Sequence, residues 1–253
     1  MSELEFYKLL LVVWFGLAVV VFATLFFVVA PYGRHGRSGW GIEIPEKIGW
    51  VVMEFPAPAV FGLLFLLGNR TTNAVALAFL LLWNVHYIHR AFIFPFRRGT
   101  SGKRMPLVIV AMGFLFNAVN GYLQSRFLNL LSSVYPGDWL LDPRFIFGAL
   151  LFAAGFVINL HSDNILLSLR RGGEGGYKIP RGWLFEWVSS PNYLGEIIEW
   201  SGWALATFSP AGALFAFWTF ANLAPRARAN HNWYLQKFPE YPPKRKALIP
   251  YLF

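Results

Sequence analysis

Apolar runs long enough to cross a bilayer alternate along the chain with short basic segments. A hydrocarbon core of roughly 30 Å needs about 20 apolar residues of helix. Seven segments qualify: residues 9–30, 48–68, 73–95, 105–125, 145–168, 184–206 and 209–225. Only Phe208-Ser209-Pro210 separates the last two, which predicts a tight helical hairpin. No internal repeat or low-complexity tract appears. The pattern therefore predicts an all-α polytopic integral membrane protein with seven transmembrane helices in one domain, residues 1–253. The first run is too long for a signal h-region and has no basic segment before it, so no cleavable signal peptide is expected.

Composition agrees. Of the 253 residues 56% are hydrophobic and 14% charged, whereas a soluble domain needs about a quarter charged to cover its surface. The 26 Phe and 11 Trp suit lipid contact and headgroup belts. Without cysteine there is no disulfide, zinc-thiolate site, iron–sulfur cluster or thiol nucleophile. The net charge of +9 is read as membrane orientation and anionic lipid, with no nucleic-acid partner.

The basic residues then set topology. Loops 31–47, 96–104 and 169–183 and the C-terminal tail share one side and hold 17 of the 22 Lys and Arg. The other side keeps Lys8, Arg70, Arg126 and Arg144, and Arg90 lies within a span. The positive-inside rule puts the N-terminus outside and the C-terminus in the cytosol, in a bacterial inner membrane or an endoplasmic reticulum.

Ionisable groups inside a bilayer are costly and point to function. The spans hold Glu54, His86, His89, Arg90, His161, Asp163, Glu196 and Glu199, with Asn159, Asn192 and Tyr87 nearby. His86, His89 and Arg90 stand at i, i+3 and i+4; Asn192, Glu196 and Glu199 at i, i+4 and i+7; Asn159 and Asp163 four apart. Each set shares a helix face, which fits a polar cavity walled by several helices. Interhelical hydrogen bonds and ion pairs account equally well for any single member. His86-x-x-His89 lacks the further histidines of a di-iron site, so no metal is expected. There is no nucleophile elbow and no phosphate loop of the G-x-x-x-x-G-K-[ST] type.

Gly172-Gly173-Glu174-Gly175-Gly176 has no preceding strand and reads as a flexible cytosolic loop. Around it, Arg170, Arg171, Lys178 and Arg181 serve topology or pin an anionic, phosphate-bearing ligand. Arg97, Arg98, Lys103, Arg104, Arg226 and Arg228 share that side. The proline-rich basic tail 238–250 reads as a headgroup anchor.

Four stretches carry a more specific signal. They are His86-Tyr87-Ile88-His89-Arg90; Asn159-Leu160-His161-Ser162-Asp163-Asn164-Ile165-Leu166; Tyr177-Lys178-Ile179-Pro180-Arg181-Gly182; and Ser189-Ser190-Pro191-Asn192-Tyr193-Leu194-Gly195-Glu196-Ile197-Ile198-Glu199-Trp200. With the ending Tyr241-Pro242-Pro243-Lys244-Arg245-Lys246-Ala247-Leu248-Ile249-Pro250, they resemble the steroid 5α-reductase family, in a bacterial-type form. The likeness is dense from about residue 86 onward and leaves mainly Glu54-Phe55-Pro56 before it.

This resemblance implies an NADPH-dependent reductase of 3-oxo-Δ4 steroids that delivers hydride to C5 and a proton to C4, working as a monomer in the lipid bilayer. Its carbonyl-holding Glu and Tyr match Glu54 and Tyr87. Fixed donors in a dry site would stabilise the enolate oxygen. Glu54 must be protonated to donate, which burial favours; Tyr87 donates as it stands. Cofactor positions fall, by the same resemblance, on Arg90, Asn159, Asp163, Arg170, Tyr177, Lys178, Asn192, Glu196, Arg226 and Tyr234. Two residues depart from the family pattern: Met53 stands where many members have Gln, and Lys178 where Arg is common. Met53 cannot orient Glu54 by hydrogen bonding.

Other readings stay open. Ser190-Pro191-Asn192-Tyr193 with Gly195-Glu196 also resembles isoprenylcysteine-type methyltransferases that use S-adenosylmethionine, though the usual Arg-His-Pro is Ser189-Ser190-Pro191 here. A reductase of another lipid enone keeps the chemistry and changes the substrate. A non-enzymatic scaffold leaves the intramembrane charges without a purpose.

Overall fold

The computed structural model describes residues 1–31, 33–36, 39–98, 102–169 and 176–253. The chain is mostly helical and divides into two compact units, Met1–Val12 with Ala30–Ile146, and Val13–Val29 with Phe147–Phe253.

Helix α1 (Glu3–Leu25) begins earlier than its apolar run predicts, because Ser2-Glu3-Leu4-Glu5 caps it. Ser2 N–H donates to Glu5 Oε2 at 2.7 Å and Glu5 N–H donates back to Ser2 Oγ at 3.3 Å, satisfying two end donors reciprocally.

In the first unit, strand β1 (Glu43–Pro45) pairs antiparallel with β2 (Arg104–Pro106). This ribbon corrects the purely helical expectation. Three residues are too few to show alternation; β1 falls in a segment read as a loop, and β2 straddles the boundary between loop 96–104 and the span expected at 105–125. Each strand runs straight into a helix: β1 into α2 (Glu46–Glu54), followed by α3 (Pro56–Leu66), and β2 into α6 (Leu107–Arg126). Paired strands thus start α2 and α6 side by side. Gly49 lies within 3.1 Å, at its missing Cβ, of Met105 Sδ and Val110 Cγ2. Trp50, Met105 and Val110 form a buried cluster there.

Between α2 and α3 the backbone stays helical at Phe55 but its hydrogen-bond ladder is interrupted, because Pro56 and Pro58 have no N–H to give the carbonyls of Val52 and Glu54. Helix α4 (Ala74–Ile88), capped by Asn73 on the Ala76 N–H, widens into one π turn at His89–Ile93 before α5 (Phe94–Arg97). A second π turn, Phe127–Leu131, follows α6. Arg70 closes it, donating to the carbonyls of Leu128 at 2.6 Å and Ser133 at 3.3 Å. Two further arginines from the sparsely charged side are also tied down, Arg126 to Glu3 and Arg144 to Asp142.

In the second unit, helix α7 (Pro143–Ser168) packs antiparallel on α8 (Pro191–Thr207) through glycines seven apart on each. A Cβ on Gly148 would lie 2.3 Å from Ala206 N, and one on Gly155 2.3 Å from Glu199 N. From the other side, Gly195 would meet Asn159 N at 2.5 Å and Gly202 would meet Phe152 N at 2.3 Å. The backbones therefore touch, as small residues allow between membrane helices. Helix α8 ends at left-handed Phe208, and Ser209 caps α9 (Pro210–Lys237) by accepting from Gly212 N–H at 2.9 Å. The hairpin expected at 208–210 is present.

Five helical stretches among the described residues are long and apolar enough to cross a membrane: Glu3–Leu25, Glu46–Leu66, Ala74–Arg97, Leu107–Leu131 and Pro143–Ser168. The other two expected spans differ. Pro191 starts α8 late and leaves it 17 residues, since the residue before a proline avoids helical geometry. Helix α9 continues through Pro225 to Lys237, so Arg226, Arg228 and Tyr234 stand on a helix and not in a tail.

The C-terminal segment is docked, which corrects the headgroup-anchor reading. Lys246 bridges Val188, with its N–H on the Trp187 carbonyl at 2.9 Å and its carbonyl on the Ser189 N–H at 2.8 Å. Arg245 is 1% exposed and donates to the Pro180 carbonyl at 2.8 Å and Glu186 Oε2 at 3.3 Å. The Gly182 N–H, and then Arg245, hold the Glu186 carboxyl below the usual carboxylate range.

Two outcomes follow. Gly155→Ala is expected to destabilise the protein by about 1–3 kcal/mol or more through backbone overlap, while Gly16→Ala, with nothing within 4 Å, is neutral or gains slightly. Thermal unfolding in detergent checks both, and equal shifts would contradict the close packing. A carboxylate held low stabilises above its ordinary range and loses that contribution as pH falls through its folded value. Amide exchange at Ser189 and Lys246 should therefore speed up as pH drops below about 4, after correction for intrinsic rates, and should not in Glu186→Gln.

Candidate active site

The residues singled out from sequence fall in both units, and each group stands on its own geometry.

In the first unit, Glu54 is the last residue of α2 and half-buried. The Asn117 side chain of α6 donates from Nδ2 to Glu54 Oε2 at 3.2 Å and to the Met53 carbonyl at 2.8 Å. Tyr87, on α4, is 3% exposed and lies 4.7 Å from the Trp83 ring, which stacks at 4.9 Å on Phe61. Trp83 Nε1–H donates to the Ala57 carbonyl at 3.1 Å. The helix carrying Tyr87 is thus fastened, one turn earlier, to the segment just after Glu54.

His86 is buried, while His89 and Arg90 are half-buried where the π turn begins. That turn shifts the regular spacing expected for the three. Such π turns recur at functional sites because they re-aim side chains. The Arg90 guanidinium lies 5.0 Å from the Trp50 ring and 4.7 Å from Phe94. Arg98 approaches the same rings and pairs with Glu46 at 2.9 Å. Trp50, Glu46, Lys47, Arg98, Lys103 and Arg104 help line a cavity of about 420 Å³.

In the second unit the glycine contact between α7 and α8 sets four polar side chains together one turn beyond it. Asn159 Nδ2–H donates to the Asn192 carbonyl at 3.0 Å and to Glu196 Oε2 at 3.4 Å. Asn192 Nδ2–H donates to Asp163 Oδ1 at 3.2 Å. Asn159 and Asp163 are buried, and Asn192 and Glu196 are half-buried. Arg226 Nε–H donates to Tyr193 Oη at 3.0 Å.

Tyr177 packs edge-on against Trp233 at 4.9 Å, and Tyr234 stacks on Tyr241 at 5.0 Å. Tyr241 Oη and His231 Nδ1 each lie 2.7 Å from Ser189 Oγ, and burial raises the Tyr241 hydroxyl. Lys178 is exposed. Arg170 lies outside the described residues. His161 does not join the polar cluster: it is exposed beside Trp183, 4.6 Å away.

Sequence reasoning passed over a polar stripe on α6. Asn117, Asn120 and Gln124 are each at most 5% exposed and stand at i, i+3 and i+7, so they share a face. Gln124 Nε2–H donates to Asn120 Oδ1 at 3.3 Å. The spacing was visible, but neutral amides do not stand out in a search for charges.

Comparison with known proteins shows the family. Residues 103–253 match the protein family described as 3-oxo-5-alpha-steroid 4-dehydrogenase. A relative from Macaca fascicularis named 3-oxo-5-alpha-steroid 4-dehydrogenase 1 is 49% identical over 225 residues, 88% of this chain and 84% of its own. Steroid 5-alpha-reductase DET2 of Gossypium hirsutum is 41% identical over 256 residues, 100% of this chain and 99% of its own. The Arabidopsis thaliana protein of that name is 45% identical over 234 residues, 90% and 89% of the two chains. These animal and plant relatives lend no support to a bacterial type in particular. With a match over more than half its length and relatives spanning nearly all of it, the chain belongs to the 3-oxo-5-alpha-steroid 4-dehydrogenase family of oxidoreductases.

Proposed function

We propose that this protein reduces the C4=C5 bond of 3-oxo-Δ4 steroids with NADPH, as one integral membrane domain of seven spans with the N-terminus outside and the C-terminus cytosolic. The observation that supports the reading is a hydrogen-bonding side chain on each of two helices of the first unit, fastened to one another by the Trp83–Ala57 bond just beyond Glu54. Glu54 is held by Asn117, and Tyr87 is buried against Trp83. Such a pair suits a carbonyl oxygen on which negative charge grows.

The chain's own groups do the following. Tyr87 Oη–H and the protonated Glu54 donate to the steroid C3 oxygen. Their positions are fixed before reaction by Trp83 and Asn117, so little reorganisation is needed as the enolate forms. The apolar walls around Trp83 and Phe61 keep water from competing for that oxygen.

The second cluster fits the polar parts of a nicotinamide nucleotide. Asp163 and Glu196 can accept from ribose hydroxyls, Asn159 and Asn192 can pair with amide groups, and Arg226 can hold phosphate. Arg90, Arg170, Tyr177, Lys178 and Tyr234 complete the assignment carried from the family. When bound, NADPH supplies the hydride for C5. A reductase of another lipid enone would use the same residues on a different ring system.

Purified protein in detergent, given NADPH and a 3-oxo-Δ4 steroid, is expected to yield a 5α product two hydrogens heavier by mass spectrometry. Glu54→Ala and Tyr87→Phe should each lower kcat about 10²-fold, the loss expected for one preorganised donor of roughly 2.7–4 kcal/mol. Near-wild-type turnover by both variants would overturn the carbonyl assignment. Arg226→Ala should raise the KM for NADPH more than that for steroid; the reverse pattern would undo its phosphate role.

A further inference from the structure

Glu54 can serve as a donor only if one of its two oxygens carries the proton and faces the ligand. The residue before it cannot arrange this. Met53 has no hydrogen-bonding side chain of use here, and its Cγ and Sδ lie 2.1 and 2.4 Å from where a Cβ on Gly113 would stand. It is wedged into the notch that Gly113 leaves on α6.

The same stripe of α6, one turn on, carries Asn117. Its Nδ2 faces the Met53 carbonyl at 2.8 Å. A carbonyl can only accept, so the orientation of the amide is settled by chemistry: the atom there is the NH2 and not the oxygen. The second hydrogen of that NH2 is then directed to Glu54 Oε2 at 3.2 Å.

The placement follows from the fold. Glu54 is the ninth residue of α2 and Asn117 the eleventh of α6. Both helices start from the paired ribbon, and at 1.5 Å per residue both residues sit about 13–16 Å along their axes. The proline interruption of the hydrogen-bond ladder after Glu54 ends α2 at that level.

We infer that Asn117 is a positioning residue for the reaction: its NH2 group ties Glu54 Oε2 to the Met53 backbone and thereby leaves Oε1 as the oxygen that carries the proton and donates to the substrate carbonyl. The carbonyl oxygen of a protonated carboxyl is the stronger acceptor of an N–H, so the Asn117 bond to Oε2 favours the proton on the other oxygen. Asn117 does not touch the substrate in this account. It is 5% exposed and spends both donors within the protein. Without it the carboxyl can rotate and exchange the roles of its two oxygens, and preorganisation at the reacting oxygen is lost.

This inference rests on the assignment of Glu54 as a carbonyl donor, and a double-mutant cycle separates the two. Asn117→Leu keeps the branched shape and removes the donor; it is expected to lower kcat roughly ten- to hundred-fold, with the KM for NADPH unchanged. In the Glu54→Ala background the same change should cost less than about two-fold, because the group it acts through is gone. Full activity in Glu54→Ala would sink the donor assignment and the positioning role together.

If Glu54→Ala is impaired but Asn117→Leu is not, or if Asn117→Leu costs the same in both backgrounds, the donor assignment stands and the positioning role is wrong. Thermal unfolding shows whether each variant folds. Should the leucine variant fail to do so, Asn117→Ala, which removes the NH2 without adding charge, takes its place in the cycle with the same expected outcomes.

Discussion

Two helices whose backbones touch set the limits for half of the protein. Gly148 and Gly155 on α7 face Gly202 and Gly195 on α8, and a single added methyl at any of them would overlap main-chain atoms within 2.3–2.7 Å. Lipid tails are as apolar as leucine, so no hydrophobic gain draws these helices together; close dispersion contact must. At that separation Asn159 and Asp163 on one helix reach Asn192 and Glu196 on the other directly. A leucine-lined interface would hold the axes farther apart and leave the amides and carboxylates with longer gaps to span.

The first unit uses a different device. A three-residue ribbon aligns the starts of α2 and α6, and prolines 56 and 58 interrupt the hydrogen-bond ladder where Glu54 meets Asn117. Backbone polarity is costly in a membrane unless it finds partners. The Met53 carbonyl takes the Asn117 amide, the Ala57 carbonyl takes the Trp83 indole, and the Phe61 carbonyl takes the Ser125 hydroxyl at 2.8 Å. Ladder interruption, side-chain anchoring and the placement of an acid are therefore one arrangement in this segment.

Sequence made much of this legible where the signal is local. Apolar run length located the helices, and Phe208-Ser209-Pro210 marked the hairpin. Spacing of four joined Asn159 with Asp163 and Asn192 with Glu196. His161, counted from sequence among the polar groups of the spans, stands two residues from both Asn159 and Asp163 and so about 200° round the helix; it faces Trp183 instead.

What sequence hid depends on distant partners. Arg245 sits in a polybasic run, yet its partners are the Pro180 carbonyl and Glu186. Nothing local announces that burial. The Asn117 role was obscured for a similar reason, since its meaning comes from a carboxylate 63 positions away in the chain.

Transfer of hydride from a nicotinamide to the steroid ring is the claim on which the rest of the functional account depends. NADPH deuterated at the transferable C4 position of the nicotinamide, incubated with the protein and a 3-oxo-Δ4 steroid in ordinary water, tests it most directly. The account predicts a 5α product with one deuterium, located at C5 by NMR, and a solvent hydrogen at C4. A reduced product with no deuterium, or with the label at C4, would contradict it.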